Sequence, residues 1–153
     1  MMTRIIREGL AMAILASLLA ACTGERPQNL GVRDGTLLPC PSSPNCVSSR
    51  AVAERHRIEP LSFSDDPDAA FSRLRRILSQ RADTVLVEEN VRYLRVEFRT
   101  RLGFVDDGEF LLSSEQRCIH VRSASRLGYS DLGKNRARME EIRSRFSGAE
   151  QTK

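Results

Sequence analysis

Tryptophan is missing from this 153-residue chain, and tyrosine occurs only at Tyr93 and Tyr129. A protein that binds nucleic-acid strands by stacking needs a platform of rings, and two tyrosines do not build one. Lysine is nearly as scarce: 22 of the 24 basic residues are arginine, which leaves Lys134 and Lys153. No basic block occurs either. The 20 acidic residues are interspersed with the arginines, so the net charge of +4 does not form a stripe that tracks a phosphate backbone. Nucleic acid is therefore not an expected partner. Equally absent are a Gly-x-Ser-x-Gly elbow, a His-Glu-x-x-His pair, a phosphate loop and any internal repeat. What remains is 41% apolar and 29% charged, a globular balance whose length suits one domain and not two independent cores.

The longest apolar run, Leu10 to Ala21 interrupted only by Ser17, is also too short to span a membrane. As a helix it reaches about 18 Å, against a hydrocarbon core of about 30 Å. Preceded by Arg4 and Arg7, it has the order of a secretory signal. It ends in Leu19-Ala20-Ala21-Cys22, which resembles the lipobox of bacterial lipoproteins. That resemblance implies a diacylglyceryl group on the Cys22 thiol, cleavage before Cys22, and a further acyl chain such as palmitate on the freed amine. At about 0.8 kcal/mol per buried methylene, two or three chains hold a protein on a bilayer durably. Thr23 in place of Asp resembles lipoproteins passed on to the outer membrane. The expectation is an exported, membrane-anchored protein, on the periplasmic side of the outer membrane in a Gram-negative host.

Residues 1–21 then form a signal peptide and residues 22–37 a lipidated flexible tether, rich in glycine and spanning about 20–25 Å on average. A single α+β domain is expected over 38–146, with a disordered tail over 147–153. In an oxidising compartment Cys40 and Cys46 are expected to pair across Pro41-Ser42-Ser43-Pro44-Asn45. So short a loop yields about 2–2.5 kcal/mol in the chain-entropy model. The alternative, a metal site, has two thiols and the distant His56 and His120, which do not make a zinc quartet. No metal or cofactor is expected, and Cys118 reads as a free, partly buried thiol.

Hydrophobic periodicity predicts the architecture. Asp65-Asp66-Pro67 is a helix start, followed by Ala70, Phe71, Leu74, Ile77 and Leu78 at helical spacing with Arg73, Arg75 and Arg76 off that stripe. Strands are expected near Ile58–Phe63, Val85–Glu88, Leu94–Phe98, Phe104–Leu112 and Cys118–Ser123. A basic C-terminal helix begins at Ser130 or Asp131 and carries Leu132, Met139, Ile142 and Phe146. The result is an antiparallel sheet of four to five strands with two helices packed on one face.

Alternation sends Tyr93, Arg95, Glu97, Arg99 and Arg101 away from the helices, with Asp107, Glu109, His120 and Arg122 expected to join them. The Ser123–Asp131 loop adds hydroxyls, Arg126 and a helix start, a set able to hold an anion if it converges. The same residues also suit plain cross-strand ion pairs.

Three blocks carry a family resemblance: Leu38–Ser49 around the two cysteines, Arg99–Asp107 with Glu109 and Phe110, and Ile119–Gly133 with Asn135 and Arg136. Together they resemble domain-of-unknown-function family 1499, found in bacterial envelope proteins, lipoproteins and plastid proteins. The resemblance runs over about residues 37–146 and implies no established activity. It marks Arg99, Arg101, Asp106, Asp107 and the His120–Arg136 segment as the family's recurrent polar positions. Gly108 stands where a larger residue is expected, as at a local bulge.

The leading expectation is a non-catalytic binding or scaffolding module on a lipid anchor. Arg99, Arg101, Arg122 and Arg126 supply positive charge, Asp106 and Asp107 orient them, and His120 tunes the response to pH. Glu109, Ser123, Ser125, Tyr129, Asp131, Asn135 and Arg136 complete the candidate ligand set. The ligand classes are an anionic small molecule, a lipid headgroup or an envelope protein. The alternative is an envelope hydrolase or transferase using His120 with Ser123 or Ser125.

Overall fold

Asp66 starts the first helix as its sequence predicts. Its carboxylate accepts hydrogen bonds from the N–H groups of Asp68 and Ala69, both at 3.0 Å, and Pro67 fills the first turn of α1 (Pro67–Ser79). The structure, a computed structural model, describes residues 24–150; the expected signal peptide over 1–21, Cys22 and the last three residues lie outside them. Helix α1 buries Ala70, Phe71, Leu74, Ile77 and Leu78. Arg73, expected off this stripe, is buried too: it pairs with Asp65 at 2.5 Å and sits 4.3 Å from the Phe146 ring centroid.

Helix α2 (Lys134–Glu150) buries Met139, Ile142 and Phe146 against α1 and the sheet. It differs from expectation at both ends. Leu132 is not on its apolar stripe but outside the helix, exposed and at φ 54°. Asp131 prepares the helix from outside, accepting from the N–H groups of Gly133 at 3.0 Å and Asn135 at 2.7 Å. At the other end, Ser147–Glu150 is helical where a disordered tail is expected. Glu150 holds it there, accepting from the Ser64 N–H at 2.8 Å and pairing with Arg73 at 3.6 Å.

A small hairpin of β1 (Val32–Arg33) and β2 (Thr36–Leu37) precedes the main antiparallel sheet. That sheet contains β3 (Cys46–Ser48), β4 (Leu61–Ser62), β5 (Thr84–Glu89), β6 (Tyr93–Arg99), β7 (Val105–Ser113) and β8 (Cys118–Ser125). The order is β3-β8-β7-β6-β5, with β4 also on β8. The sheet thus has six strands rather than four to five. Strand β3 pairs with Arg122–Ala124 and β4 with Cys118–Ile119, so two short segments share one edge. Three residues are too few for an alternation to register, which is why β3 escapes a sequence reading.

The register separates the two faces. Leu94–Phe110–Val121, Val96–Gly108–Ser123 and Phe98–Asp106–Ser125 point toward the helices. Tyr93–Leu111–His120, Arg95–Glu109–Arg122 and Glu97–Asp107–Ala124 point away. The core cluster, which includes Val47, Leu74, Phe98, Phe110, Ile142 and Phe146, lies wholly between Val47 and Phe146, a complete core for independent folding. The Cys40–Cys46 disulfide is formed, with Cα atoms 5.7 Å apart.

The hairpin occupies part of the stretch expected as a flexible tether. Gly31, Asp34 and Gly35 have φ of 101°, 51° and 72°, so these residues make turns in an ordered segment. Leu37 is buried, and the Gly31 N–H donates to Glu109 Oε1 at 2.6 Å, which lays the segment on the outer face of the sheet.

Gly108 is not a bulge, since pairing is regular through it; the irregularity lies in β5 between Leu86 and Glu88. A Cβ at position 108 would fall 2.3 Å from Phe98 Cε2 and 2.9 Å from Val96 Cγ2, so glycine here makes room for the Phe98 ring. Gly108→Ala is expected to destabilise the domain by about 1–3 kcal/mol, read as a lower urea midpoint at unchanged slope.

Candidate functional site

The outer face carries a charge layer that is almost wholly removed from water. At its centre Arg122 Nη1 donates to Glu109 Oε2 at 2.7 Å, with side-chain exposures of 1% and 0%. Glu109 Oε1 also accepts from the Tyr93 hydroxyl at 2.8 Å and from Gly31. Burial and the adjacent Glu109 carboxylate push the Tyr93 hydroxyl far above its ordinary range, so it stays a donor. Beside this pair, Arg126 grips Asp107 through two bonds of 2.7 and 2.8 Å and reaches Glu97 at 2.6 Å. Those bonds to Asp107, opposed by burial, leave Arg126 more firmly protonated than usual. Burial alone would raise the Glu97 carboxyl, but bonds from Arg126 and Arg99 outweigh it and hold it below its ordinary value. Arg95 is buried between Glu88 at 3.3 Å and Asp107 at 3.7 Å.

This layer corrects the expectation of an open, ligand-ready face. Four of the expected ligand residues, Asp107, Glu109, Arg122 and Arg126, do converge, but they bind one another under the N-terminal segment. Arg99 and Arg101 do not join them: Arg99 is a half-exposed partner of Glu97, and Arg101 lies in the exposed turn after β6. Tyr129 is exposed in the loop after β8.

A second group lies on the opposite, helix-facing side. Asp106 pairs there with Arg138 at 2.9 Å, so it cannot orient the arginines of the outer face. Ser123 donates to Asn135 Oδ1 at 2.5 Å, and the Asn135 amide reaches Ser125 Oγ at 3.0 Å and the Asn45 carbonyl at 3.2 Å. Arg136 caps the carbonyls of Arg57 at 2.7 Å and Arg55 at 3.1 Å. These bonds tie α2 to β3, β8 and the turn Glu54–His56. They also separate Ser123 and Ser125 from His120, which faces the other way, and so remove the expected His120–serine pair.

His120 instead sits at the far end of the outer face. Its Nε2–H donates to Gln116 Oε1 at 2.7 Å, which leaves Nδ1 to accept from the Ser49 hydroxyl at 3.2 Å. Burial, aided by the nearby Arg50 charge, holds the imidazole below its ordinary pKa and thus neutral at pH 7. Among the described residues no carboxylate bonds to it. The Ser49 oxygen is itself engaged, accepting from the Val121 N–H at 2.9 Å. Burial raises the Cys118 thiol, 3.7 Å from His120 Nε2, so it remains a thiol.

Next to His120 opens a cleft of about 390 Å³ between the hairpin and the ends of β6 and β7. Its polar wall comes from Thr36, Arg50, Arg92, Glu115, Gln116 and His120. Arg50 Nε donates to Thr36 Oγ1 at 3.3 Å, and among the described residues no carboxylate is in ion-pair range of Arg50 or Arg92. Other described arginines share this property, but Arg50 and Arg92 are the two that line the cleft. No metal-ligating cluster occurs among the described residues. Ser49, Arg50, Arg92 and Gln116 come from three separate segments, with no motif or spacing that marks them as a group.

The model of a family described as "Protein of unknown function (DUF1499)" matches residues 36–146, most of the chain and nearly all of the fold just described. The chain belongs to this family. No curated protein and no solved structure matches it. The DUF1499 match starts at the second hairpin strand, so β2, the disulfide, the charge layer's β-strand residues, α1 and the part of α2 up to Phe146 fall inside the family region.

The charge layer sets a test between a structural and an exposed arginine. Arg122→Ala leaves Glu109 buried without its cation and is expected to cost about 3–5 kcal/mol. Arg99→Ala removes a solvent-screened pair and is expected to cost less than about 1 kcal/mol. Urea unfolding of both variants reads the difference; equal losses would contradict the burial described above.

Proposed function

We propose that this DUF1499 protein is a lipid-anchored envelope protein that binds a small anionic ligand without catalysing its conversion. The observation that carries the binding half is the cleft beside His120, where Arg50 and Arg92 face the same 390 Å³ space with no carboxylate in ion-pair range. A guanidinium offers several donors in a fixed fork, so two at one cleft suit a carboxylate or phosphate group. Gln116, whose Oε1 is held by neutral His120, keeps its amide N–H groups for a ligand, and Glu115 in the same lining disfavours ligands of high negative charge. The anchoring half rests on the Leu19-Ala20-Ala21-Cys22 sequence. Among the described residues no helix is long and apolar enough to cross a membrane.

Two measurements test the halves separately. Cells fed an alkynyl palmitate are expected to label the chain, with the label lost in Cys22→Ser; equal labelling of both would sink the anchor. A thermal-shift panel of anionic sugars, phosphate esters and peptidoglycan fragments reads the cleft. A ligand at one hundred times its Kd adds about 2.7 kcal/mol, a rise of several degrees. The rise is expected to vanish in Arg50→Ala and Arg92→Ala; a rise retained in both would place binding elsewhere.

A further inference from the structure

Five large apolar side chains stand in solvent at the end of the sheet opposite the His120 cleft. Leu102 (76% exposed) and Phe104 come from the turn between β6 and β7. Leu127, Tyr129 (77%) and Leu132 (89%) come from the loop between β8 and α2. The two loops are neighbours: Phe104, Leu127 and Leu132 line one cleft of about 260 Å³, and the Arg126 N–H donates to the Val105 carbonyl at 3.2 Å. Neither loop is slack. The Thr100 N–H donates to the Phe104 carbonyl at 2.9 Å, the Phe104 N–H donates to Thr100 Oγ1 at 3.1 Å, and Asn45 Nδ2 donates to the Gly128 carbonyl at 2.7 Å. A braced loop that holds leucine and tyrosine in water bears a hydration cost that folding does not relieve, as expected where a partner covers them.

The surroundings say which partner. Lys134 borders the same cleft and Arg101 the same turn, both exposed and, among the described residues, with no carboxylate in ion-pair range. The acids nearby are occupied: Asp131 caps the start of α2 and Asp106 holds Arg138. Apolar side chains flanked by two unpaired cations, with a tyrosine beside them, suit the interface of an anionic bilayer. The chain itself leads there. Gly24 packs on this tip, since a Cβ built on it would lie 3.0 Å from both Arg126 Cβ and Leu127 Cγ. Cys22 is two residues earlier, within about 7 Å by covalent reach.

We infer that this tip is a membrane-contact surface, inserting Leu102, Tyr129 and Leu132 among anionic headgroups beside the acyl chains on Cys22. The inference rests on the lipid anchor proposed above. It fixes the orientation of the domain: the tip lies on the bilayer and the His120 cleft faces away from it.

The absence of tryptophan makes this testable with single reporters. Residues 22–153 are coupled through the Cys22 thiol to maleimide-bearing phosphatidylglycerol vesicles that contain brominated acyl chains. Cys40 and Cys46 are locked in their disulfide and Cys118 is buried, so neither competes. Tyr129→Trp is expected to be quenched severalfold more than Val91→Trp, an exposed position in the β5–β6 turn at the opposite end. Adding Leu102→Asp and Leu132→Asp is expected to abolish the difference; Asp also tolerates the positive φ at 132. Equal quenching at the two reporters, no quenching at 129, or quenching that survives both Asp substitutions would overturn the inference. So would a dimer in free solution that Leu132→Asp dissolves, which would make a second copy the partner. Coupling is chemical here, so the result is independent of whether cells acylate Cys22, which the palmitate label reads by itself.

Discussion

Glu109 and Arg122 meet between neighbouring strands with neither side chain in contact with water. Removing two full charges from water costs several kcal/mol for each ion, and a single contact does not repay it. The additional bonds come from both directions. Tyr93 donates from the adjacent strand, and the Gly31 N–H donates from a segment 78 residues away in sequence. The arrangement therefore works only when the N-terminal segment lies on the sheet. Antiparallel sheets ordinarily leave one face to the solvent. Here peptide groups and paired charges take the place of that solvent, and Arg122 Nε and Arg95 Nη1 are left without a hydrogen-bond partner.

That constraint shapes what the surface offers. Because Gly31 is held on Glu109, the hairpin that follows stands beside the ends of β6 and β7 and forms one wall of the His120 cleft. Because the chain before Gly31 runs back across the same face, with Arg26 within 3.8 Å of Glu88, Gly24 arrives at the opposite end of the sheet. Strand β7 joins the two ends: Val105 and Asp106 border the apolar cleft and Leu111–Ser113 the polar one. Nine extended residues cover about 30 Å, so the sheet is a rigid spacer between two surfaces of different character.

Much of the framework is legible without coordinates. Period-two alternation assigns Leu94, Val96, Phe98, Ile119 and Val121 to the core and Arg95, Glu97, Glu109 and Arg122 to the other face, as observed. Helix α1 follows from its cap and stripe, and the disulfide from spacing and compartment. The misreadings share a cause. Closeness in sequence groups Asp106, Ser123 and Ser125 with the outer residues, while the pleat sends them to the helix side, where Arg138 and Asn135 satisfy them. Arg73 looks like a solvent residue by type, yet Asp65 and the Phe146 ring give it a place inside.

Local geometry is written into short stretches of chain because a strand's side chains alternate and a helix's repeat every three to four residues whatever surrounds them. From this the sequence determined which residues share a face and where α1 begins, and from the six-residue spacing of Cys40 and Cys46 which cysteines pair. Whether a charged face meets water is a different kind of property, decided by what covers it. Tertiary structure alone turned the arginines and carboxylates of the outer face into a closed layer, left Arg50 and Arg92 unpaired at a cleft, and brought Gly24 against Leu127. Each of these depends on contacts between residues tens of positions apart, and no local periodicity records them.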